Sequence, residues 1–425
     1  MKLYDHQIQA LNNSEDLNRV AYYHDMGLGK TFTGAEKMHR LGAKVNLVIC
    51  QKSKINDWVD HFIKCYNCDY LIFDLTRKTE FAAFMSYKEQ KKPLERVGII
   101  NYELAFRRAE LLDLRDYTLM LDESSLIQNE TAKRSKFALK LGDNAANVIL
   151  LSGTPTSGKY ENLWSQMRLL GWNISKRMYW NQYINVEYLD MVGRSIPIVK
   201  GYKNVDRLKR KMRNYGCQFL KSDEVLNLPE QIYQNVTIDT TIDYRMFKKN
   251  GIAKIGDTEL IGDTTLTKML YERQLCGIYN RAKYDAIADL WNSTEDNFVV
   301  FYNFNAELEN LKAVANTCKR DFGVINGEQK EIDNYSLNHN SLLFIQYQAG
   351  AMGLNLQEYS NRIIYFSLPL SSELFEQSKK RIHRIGQART CFYYLLLCKN
   401  SIEEKIYKTL QMRKDYTNEL FERGE

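Results

Sequence analysis

The sequence predicts an α/β protein of two tandem lobes, each a mainly parallel sheet with flanking helices. Three observations predict it. At 425 residues the chain is too long for one core and suits two domains of about 200 residues each. Short β-rich apolar runs alternate with helix-like stretches along both halves. A glycine-rich phosphate loop stands between the first such strand and the first long helix, and the second half has no counterpart to it.

The loop is His24-Asp25-Met26-Gly27-Leu28-Gly29-Lys30-Thr31, following the apolar Val20-Ala21-Tyr22-Tyr23 and preceding a helix-like run from Phe32 to Leu41. Gly27, Leu28 and Gly29 let backbone N–H groups close around phosphate oxygens. Lys30 reaches the β and γ phosphates, the Thr31 hydroxyl ligates Mg²⁺, and the helix N-terminus adds its partial positive charge. A nucleoside triphosphate is the ligand this pattern serves. The strict pattern places glycine five residues before Gly29, where this chain has His24.

Charged residues at 26% and hydrophobic residues at 44% describe a soluble globular protein. No apolar run approaches the roughly 18 residues of a membrane span, and the N-terminus lacks a signal peptide's apolar region. A cytoplasmic protein with no membrane partner is expected. The net charge of +7 favours a polyanionic partner. The eight cysteines are scattered, mostly in apolar segments, and read as reduced thiols; Cys65-Tyr66-Asn67-Cys68 has zinc-knuckle spacing without a second pair.

In chain order, Tyr4-Asp5-His6-Gln7 opens an amphipathic helix with apolar Ile8 and Leu11. Gln7 there either pairs with an adenine edge or is a solvated helix residue. Val45–Cys50 is a strand and Ile55–Tyr66 a helix carrying Trp58, Val59 and Phe62, which makes a βαβ unit. Val97–Asn101 is a further strand. Tyr117–Leu121 is an apolar strand that ends in Asp122-Glu123, about 90 residues after the loop. Asp122 sits where a Mg²⁺ carboxylate is needed, and Glu123 where a residue orients and deprotonates the attacking water. Asn147–Leu151 is a buried strand ending in Ser152-Gly153-Thr154-Pro155-Thr156, whose hydroxyls either sense a γ-phosphate or form a plain turn. A helix-rich stretch runs from Glu161 to about Tyr183. Lys200 to Lys211 is a basic run, a solvated helix face or a track for a phosphate backbone.

Leu228-Pro229-Glu230 reads as the hinge, giving lobes 1–228 and 229–425. The second lobe repeats the alternation, with strands at Asn297–Tyr302, Asp321–Ile325, Ser341–Tyr347, Arg362–Phe366 and Cys391–Cys398. It offers Gln377-Ser378-Lys379-Lys380-Arg381-Ile382-His383-Arg384-Ile385-Gly386-Gln387, read as a helix on which Arg381 and Arg384 lie one turn apart and share a face. Two guanidiniums on one edge suit a γ-phosphate, the arginine-finger arrangement; a plain basic amphipathic helix is the alternative.

This order of motifs resembles the Swi/Snf branch of helicase superfamily two, ATP-driven translocases on double-stranded DNA. Asp25–Thr31 is similar to motif I, Gln7 to the adenine glutamine, Asp122–Asn129 to motif II and Leu151–Thr156 to motif III. Ala349–Gln357, with Gly353, resembles motif V, and Gln377–Gln387 motif VI. The resemblance implies two RecA-like P-loop NTPase lobes and ATP with Mg²⁺ as cofactors. Gln7, Gly27, Leu28, Gly29, Lys30, Thr31, Gly353, Arg381 and Arg384 are then nucleotide contacts, Thr31 and Asp122 metal ligands, and Lys30, Asp122, Glu123, Arg381 and Arg384 catalytic. His24-Asp25 stand for the branch's Asp-Glu, Gln51 for its motif Ia proline and Tyr347-Gln348 for its Thr-Arg. With no bromodomain-like, chromo-like or zinc-finger appendage, the chain resembles short bacterial and bacteriophage members. The implied protein is a monomeric motor working with double-stranded DNA and with a phage or host recombination, replication or nuclease partner. A strand-separating helicase is the alternative enzyme, its wedge hairpin having room only within 154–297. A nucleotide-switched DNA-binding scaffold without turnover is the alternative from another class.

Overall fold

The computed structural model describes residues 2–66, 68–87, 94–191, 194–256, 258–333, 335, 339–348 and 354–421. The chain divides into two compact units, residues 1–225 with 415–425, and residues 226–414. Each is built on a parallel sheet with helices on both faces, the expected pair of RecA-like lobes.

In the first unit the described strands are β1 (Arg19–His24), β2 (Val45–Cys50), β3 (Tyr70–Asp74), β4 (Glu95–Asn101), β5 (Thr118–Asp122), β6 (Asn147–Leu151), the pair β7 (Ile184–Met191) and β8 (Arg194–Tyr202), and β9 (Cys217–Leu220). Seven of them form one sheet in the order β3-β4-β2-β5-β6-β1-β9, all parallel. Strands β1, β2, β5 and β6 are nearly continuous apolar runs because helices cover both faces. The period of two then sorts their side chains. Ala21, Tyr23, Leu47, Leu119, Leu121, Val148 and Leu150 pack on one side against Tyr160, Tyr179, Leu208 and Met212. Val20, Tyr22, Val48, Met120, Ile149 and Leu151 pack on the other against Ala35, Met38, Trp58 and Phe62.

The second unit contains β10 (Gln231–Ile238), β11 (Ile252–Ile255), β12 (Thr258–Ile261), β13 (Phe298–Tyr302), β14 (Phe322–Ile325), β15 (Leu342–Gln346), β16 (Arg362–Tyr365) and β17 (Cys391–Cys398). Its sheet runs β10-β17-β16-β13-β15-β14, again parallel throughout, while β11 and β12 form a separate hairpin. The sequence reading placed the other five strands of this sheet and not β10, whose mostly polar, half-exposed face carries little apolar signal.

Two further features depart from expectation. The helix-rich stretch ends at Tyr183 as expected, but 184–202, for which the sequence offered no element, folds as the β7–β8 hairpin, and the basic run Lys200–Lys211 begins on its second strand instead of lying on one helix. The segment expected to present Arg381 and Arg384 on one helical face leaves the helix at Lys379, and residues 380–387 run as turns. Ser378 accepts from the Arg381 backbone N–H, and the helix-capping Lys380 and Gly386, at φ +97°, mark where the helical path is abandoned.

A buried ion pair fastens the last described helix, Ile402–Phe421, to the second core. Lys283, fully buried, pairs with Glu403, whose other oxygen accepts from the Cys398 backbone N–H at 3.0 Å. Burial lowers the ammonium's pKa, but Glu403 more than offsets it and Lys283 stays charged. Lys283→Ala, which strands a buried carboxylate, is expected to cost about 3–5 kcal/mol of stability. Lys283→Met combined with Glu403→Leu should recover most of it, as measured by urea unfolding.

Candidate active site

Strand order brings together what the sequence separates. β6 lies between β1 and β5, and Leu151 is in register with Tyr22 on one side and Asp122 on the other. The phosphate loop, the Ser152–Thr156 segment and the Asp122-Glu123 pair therefore leave the carboxyl edge of three adjacent strands, where ligands of open α/β sheets bind.

Gly29 takes φ +69° and caps the helix Lys30–Leu41, so the helix's first N–H groups face the loop. A Cβ at Gly29 would also meet the Gln7 Nε2 at 2.3 Å. Gln7 is buried, not solvated. Its Nε2 donates to the Leu28 carbonyl at 3.1 Å and the Gly29 carbonyl at 3.3 Å, while its Oε1 accepts from the Tyr4 backbone N–H at 3.0 Å. This amide braces the loop from outside. The Lys30 Nζ donates to the His24 carbonyl at 2.9 Å and the Asp25 carbonyl at 3.2 Å, which keeps the ammonium within the loop's curve. Asp25 accepts from the Met26 N–H at 2.8 Å and the Ser222 hydroxyl at 2.6 Å, tying the loop to the short helix that follows β9. Thr31 stands in the first helical turn, half-buried.

Gly153 approaches this loop closely: a Cβ there would lie 3.2 Å from Met26 Cγ and 3.4 Å from Lys30 Nζ. Among the acids, Asp122 accepts from the Trp58 indole N–H at 2.8 Å. Burial lifts its carboxyl above the usual range, against Trp58, Lys30 and Lys54, which favour the charged form. Glu123 takes φ +52°, a left-handed conformation costly for a residue with a side chain, while the Tyr102 hydroxyl donates to the Asp122 carbonyl at 2.8 Å. The strain is stored at the residue on which the water-activating role was expected.

One side chain holds these segments together. Gln166 is fully buried; its Oε1 accepts from the Tyr23 hydroxyl at 2.9 Å and the Ser124 hydroxyl at 2.8 Å, and its Nε2 donates to the Pro155 carbonyl at 2.7 Å. It thus links the strand before the phosphate loop, the residue after the acids and the end of the third segment. Asn162 repeats the tie, donating to Gln128 at 2.9 Å and to the Thr156 carbonyl at 3.2 Å. Sequence reasoning missed Gln166 and the polar role of Trp58. Both sit in ordinary amphipathic helices, and only the tertiary fold shows what they touch.

In the second unit, Arg381 and Arg384 are each half-buried, and desolvation lowers the Arg384 pKa from its usual value. The Arg381 carbonyl accepts from the Leu356 N–H at 3.2 Å, and Gln387 Nε2 donates to the carbonyls of Gln357 at 3.1 Å and Ser360 at 3.0 Å. The end of the fifth motif is thereby joined to the sixth; Gly353 and residues 349–352 lie outside the described residues. A separate groove of about 1000 Å³ in the first unit lies beyond the carboxyl ends of β2, β3 and β4, lined by Gln51, Lys52, Ser53, Asn101, Glu103 and Arg107.

The chain matches the SNF2-related domain over residues 16–278. It is 22% identical over 427 residues to a Caenorhabditis elegans homolog of the SWI/SNF-related matrix-associated actin-dependent regulator of chromatin subfamily A-like protein 1, covering 95% of this chain and 59% of that protein. It is 20% identical over 324 residues to an uncharacterized ATP-dependent helicase of Mycoplasma genitalium, covering 70% of this chain and 30% of the relative. The chain thus spans about a third to three-fifths of the length of these relatives. Among solved structures, the Sulfolobus solfataricus SWI2/SNF2 ATPase core in complex with dsDNA aligns at TM-score 0.46 and 19% identity, over 98% of this chain and 92% of that one.

Two predictions follow from the site's packing. Gln166→Leu leaves two buried hydroxyls and a carbonyl without their partner and should lower unfolding free energy by about 3 kcal/mol, read by denaturant titration. Burial also holds His61 at about 4 and, with Lys30 and His6 adding to it, His24 at about 3, against 6.5 for a free imidazole. Below 6.5 the unfolded chain binds protons that the folded one refuses, so stability contributed by both is present above that pH and falls as pH drops toward 4. Melting temperatures measured at pH 7 and pH 5 should show a smaller drop for His61→Phe, which keeps the ring contacts to Phe32 and Trp58.

Proposed function

Because the chain belongs to the SNF2-related domain family, we propose that it is a DNA-stimulated ATPase that couples ATP hydrolysis to translocation along double-stranded DNA. The observation that carries the reading is the convergence, in one unit, of the phosphate loop, the Asp122 carboxyl and the Gly153 segment on Lys30. The backbone N–H groups of residues 27–31 and the Lys30 ammonium bind the β and γ phosphates. Lys30 exchanges its bonds to two carbonyls for bonds to phosphate, a charge-assisted and stronger contact. Glu123 orients the attacking water and takes its proton.

Thr31 and Asp122 offer hydroxyl and carboxylate oxygens, the hard donor set that suits Mg²⁺, and a carboxyl whose burial disfavours its charge is one that a cation would relieve. When bound, the ion would neutralise charge on the β and γ phosphates. Arg381 and Arg384 of the second unit stabilise the charge that develops on the transferred phosphoryl group. Gln7 holds the loop in shape and sets its distance from the base.

The DNA reading is supported by the net charge of +7 and by the groove beyond β2–β4, which Lys52 and Arg107 line together with Gln51 and Ser53, alongside the acids Asp74 and Glu103. Acting on a duplex inside the cytoplasm, as a monomer or with a recombination, replication or nuclease partner, accords with the two-unit motor.

Lys30→Ala should reduce duplex-stimulated ATP hydrolysis by on the order of 100-fold or more. Glu123→Gln should still bind ATP while losing turnover; full activity in either variant overturns the site assignment. Duplex affinity should fall roughly 1000-fold between about 50 and 200 mM salt, and a flat response in an anisotropy titration would argue against phosphate tracking.

A further inference from the structure

Trp58 is a core residue with one polar atom, and that atom is aimed at the nucleotide site. The residue lies on the helix Ile55–Tyr66, 1% exposed, in the apolar cluster that also holds Val48, Met120 and Phe62. A buried indole N–H needs an acceptor. Here it donates to Asp122 Oδ2 at 2.8 Å, a charge-assisted bond when that carboxyl is ionised.

Both ends of this bond are held. Trp58, His61 and Phe62 share one face of their helix, three and four residues apart. The indole stacks on the Phe62 ring at 5.9 Å and meets the His61 ring edge-on at 5.9 Å. His61 in turn meets Phe32 at 4.8 Å, and Phe32 follows Thr31 in the first turn of the helix Lys30–Leu41. One aromatic train thus backs both Asp122 and Thr31. On the other side, the Tyr102 hydroxyl fixes the Asp122 main chain by donating to its carbonyl at 2.8 Å.

A carboxylate left to itself turns broadly about its terminal torsion. With its main chain held by Tyr102 and Oδ2 held by an indole packed in place, Asp122 is restrained to meet a cation through Oδ1. Coordination by a single carboxylate oxygen suits Mg²⁺, which keeps a strict octahedral shell, whereas Ca²⁺ has a larger and looser shell that also takes both oxygens of one carboxylate.

We propose that Trp58 is a positioning residue that sets the metal preference of the nucleotide site. Acting through Asp122, it turns one carboxylate oxygen toward Mg²⁺ and opposes the two-oxygen grip that would serve Ca²⁺. The role rests on the reading of Asp122 as a metal ligand in an ATPase, and adds to it what orients that ligand and which divalent cation it favours.

The test uses the full chain and mant-ADP, a fluorescent ADP that reports binding without turnover, titrated with Mg²⁺, with Ca²⁺ and in EDTA. Trp58→Phe removes the N–H. Trp58→His restores a donor, because imidazole Nε2 stands as many bonds from Cβ as indole Nε1 does. Both variants are smaller than Trp, so a difference between them reads the donor and not the packing; melting temperatures of all three proteins are compared. Trp58→Phe should raise the Mg²⁺ concentration that half-saturates the tightening of mant-ADP by about tenfold or more, leave affinity in EDTA within about twofold, and narrow the preference for Mg²⁺ over Ca²⁺. Trp58→His should recover most of this. In the unaltered protein the Trp58 indole ¹⁵N–¹H signal, one of five and identified by its proximity to the Phe62 ring, should shift when Mg²⁺ joins the ADP complex, a readout that needs no variant. An unchanged Mg²⁺ requirement in Trp58→Phe, an equal loss in both variants, or an indole signal indifferent to Mg²⁺ overturns the role. Nucleotide binding that no divalent cation strengthens in the unaltered protein would instead remove the metal-site assignment beneath it, so the two failures are distinguishable.

Discussion

The register of three neighbouring strands governs this protein's chemistry. β6 is hydrogen-bonded to β1 and to β5 with Leu151 between Tyr22 and Asp122, so three stretches far apart in sequence end at one height on the sheet. A slip of one residue would turn every side chain of a strand to the opposite face and move its end by about 3.3 Å. Here both faces are buried, so a slip would exchange two sets of packed side chains rather than expose one. The register is therefore fixed by helix packing on both sides, and the loop, the acids and the Gly153 segment inherit that precision. Gln166 adds a second constraint from behind, because one amide satisfies groups from all three segments.

Such a site concentrates charge where solvation is poor, and the surrounding residues limit the cost. His24 is held neutral by burial, so the position next to Asp25 adds no cation to the one on Lys30. Lys30 is met by two carbonyl oxygens and Asp122 by the Trp58 indole. Each of these is a neutral dipole facing a charge, the kind of support that survives when phosphate or a cation arrives and the charges rearrange. Glu123 is the exception, since its backbone is held in a disfavoured left-handed conformation.

Much of this was legible in the chain. The loop is readable because a strand, glycines, Gly-Lys-Thr and a helix are contiguous, and Asp122-Glu123 because they close a fully apolar run. What escaped was set by contacts between distant residues. Nothing near Gln166 marks it, since its partners lie at positions 23, 124 and 155. The Arg381 and Arg384 segment has helical periodicity, but its backbone is taken by Leu356 and Gln387, and tertiary bonds overrule local preference. The β7–β8 hairpin was passed over although Ile184-Asn185-Val186-Glu187-Tyr188 alternates apolar and polar, because that run directly continues an aromatic helix and Pro197 interrupts the second strand.

The phosphate loop is connected to the remainder of its unit along two routes of different kinds. One is polar and short: Asp25 accepts from Ser222, and its backbone N–H donates to the Leu220 carbonyl at 2.8 Å, only a few residues before the unit ends at Val225. The other is longer and stiffer, from Gly153 against Lys30, through Thr156 and Asn162, to the stacked rings of Tyr160 and Tyr202. Close-packed interiors transmit small displacements instead of absorbing them. The polar route leads to the residues just before Val225 and the packed route to the base of the hairpin, so the same fold that assembles the site also decides which segments of the unit touch it.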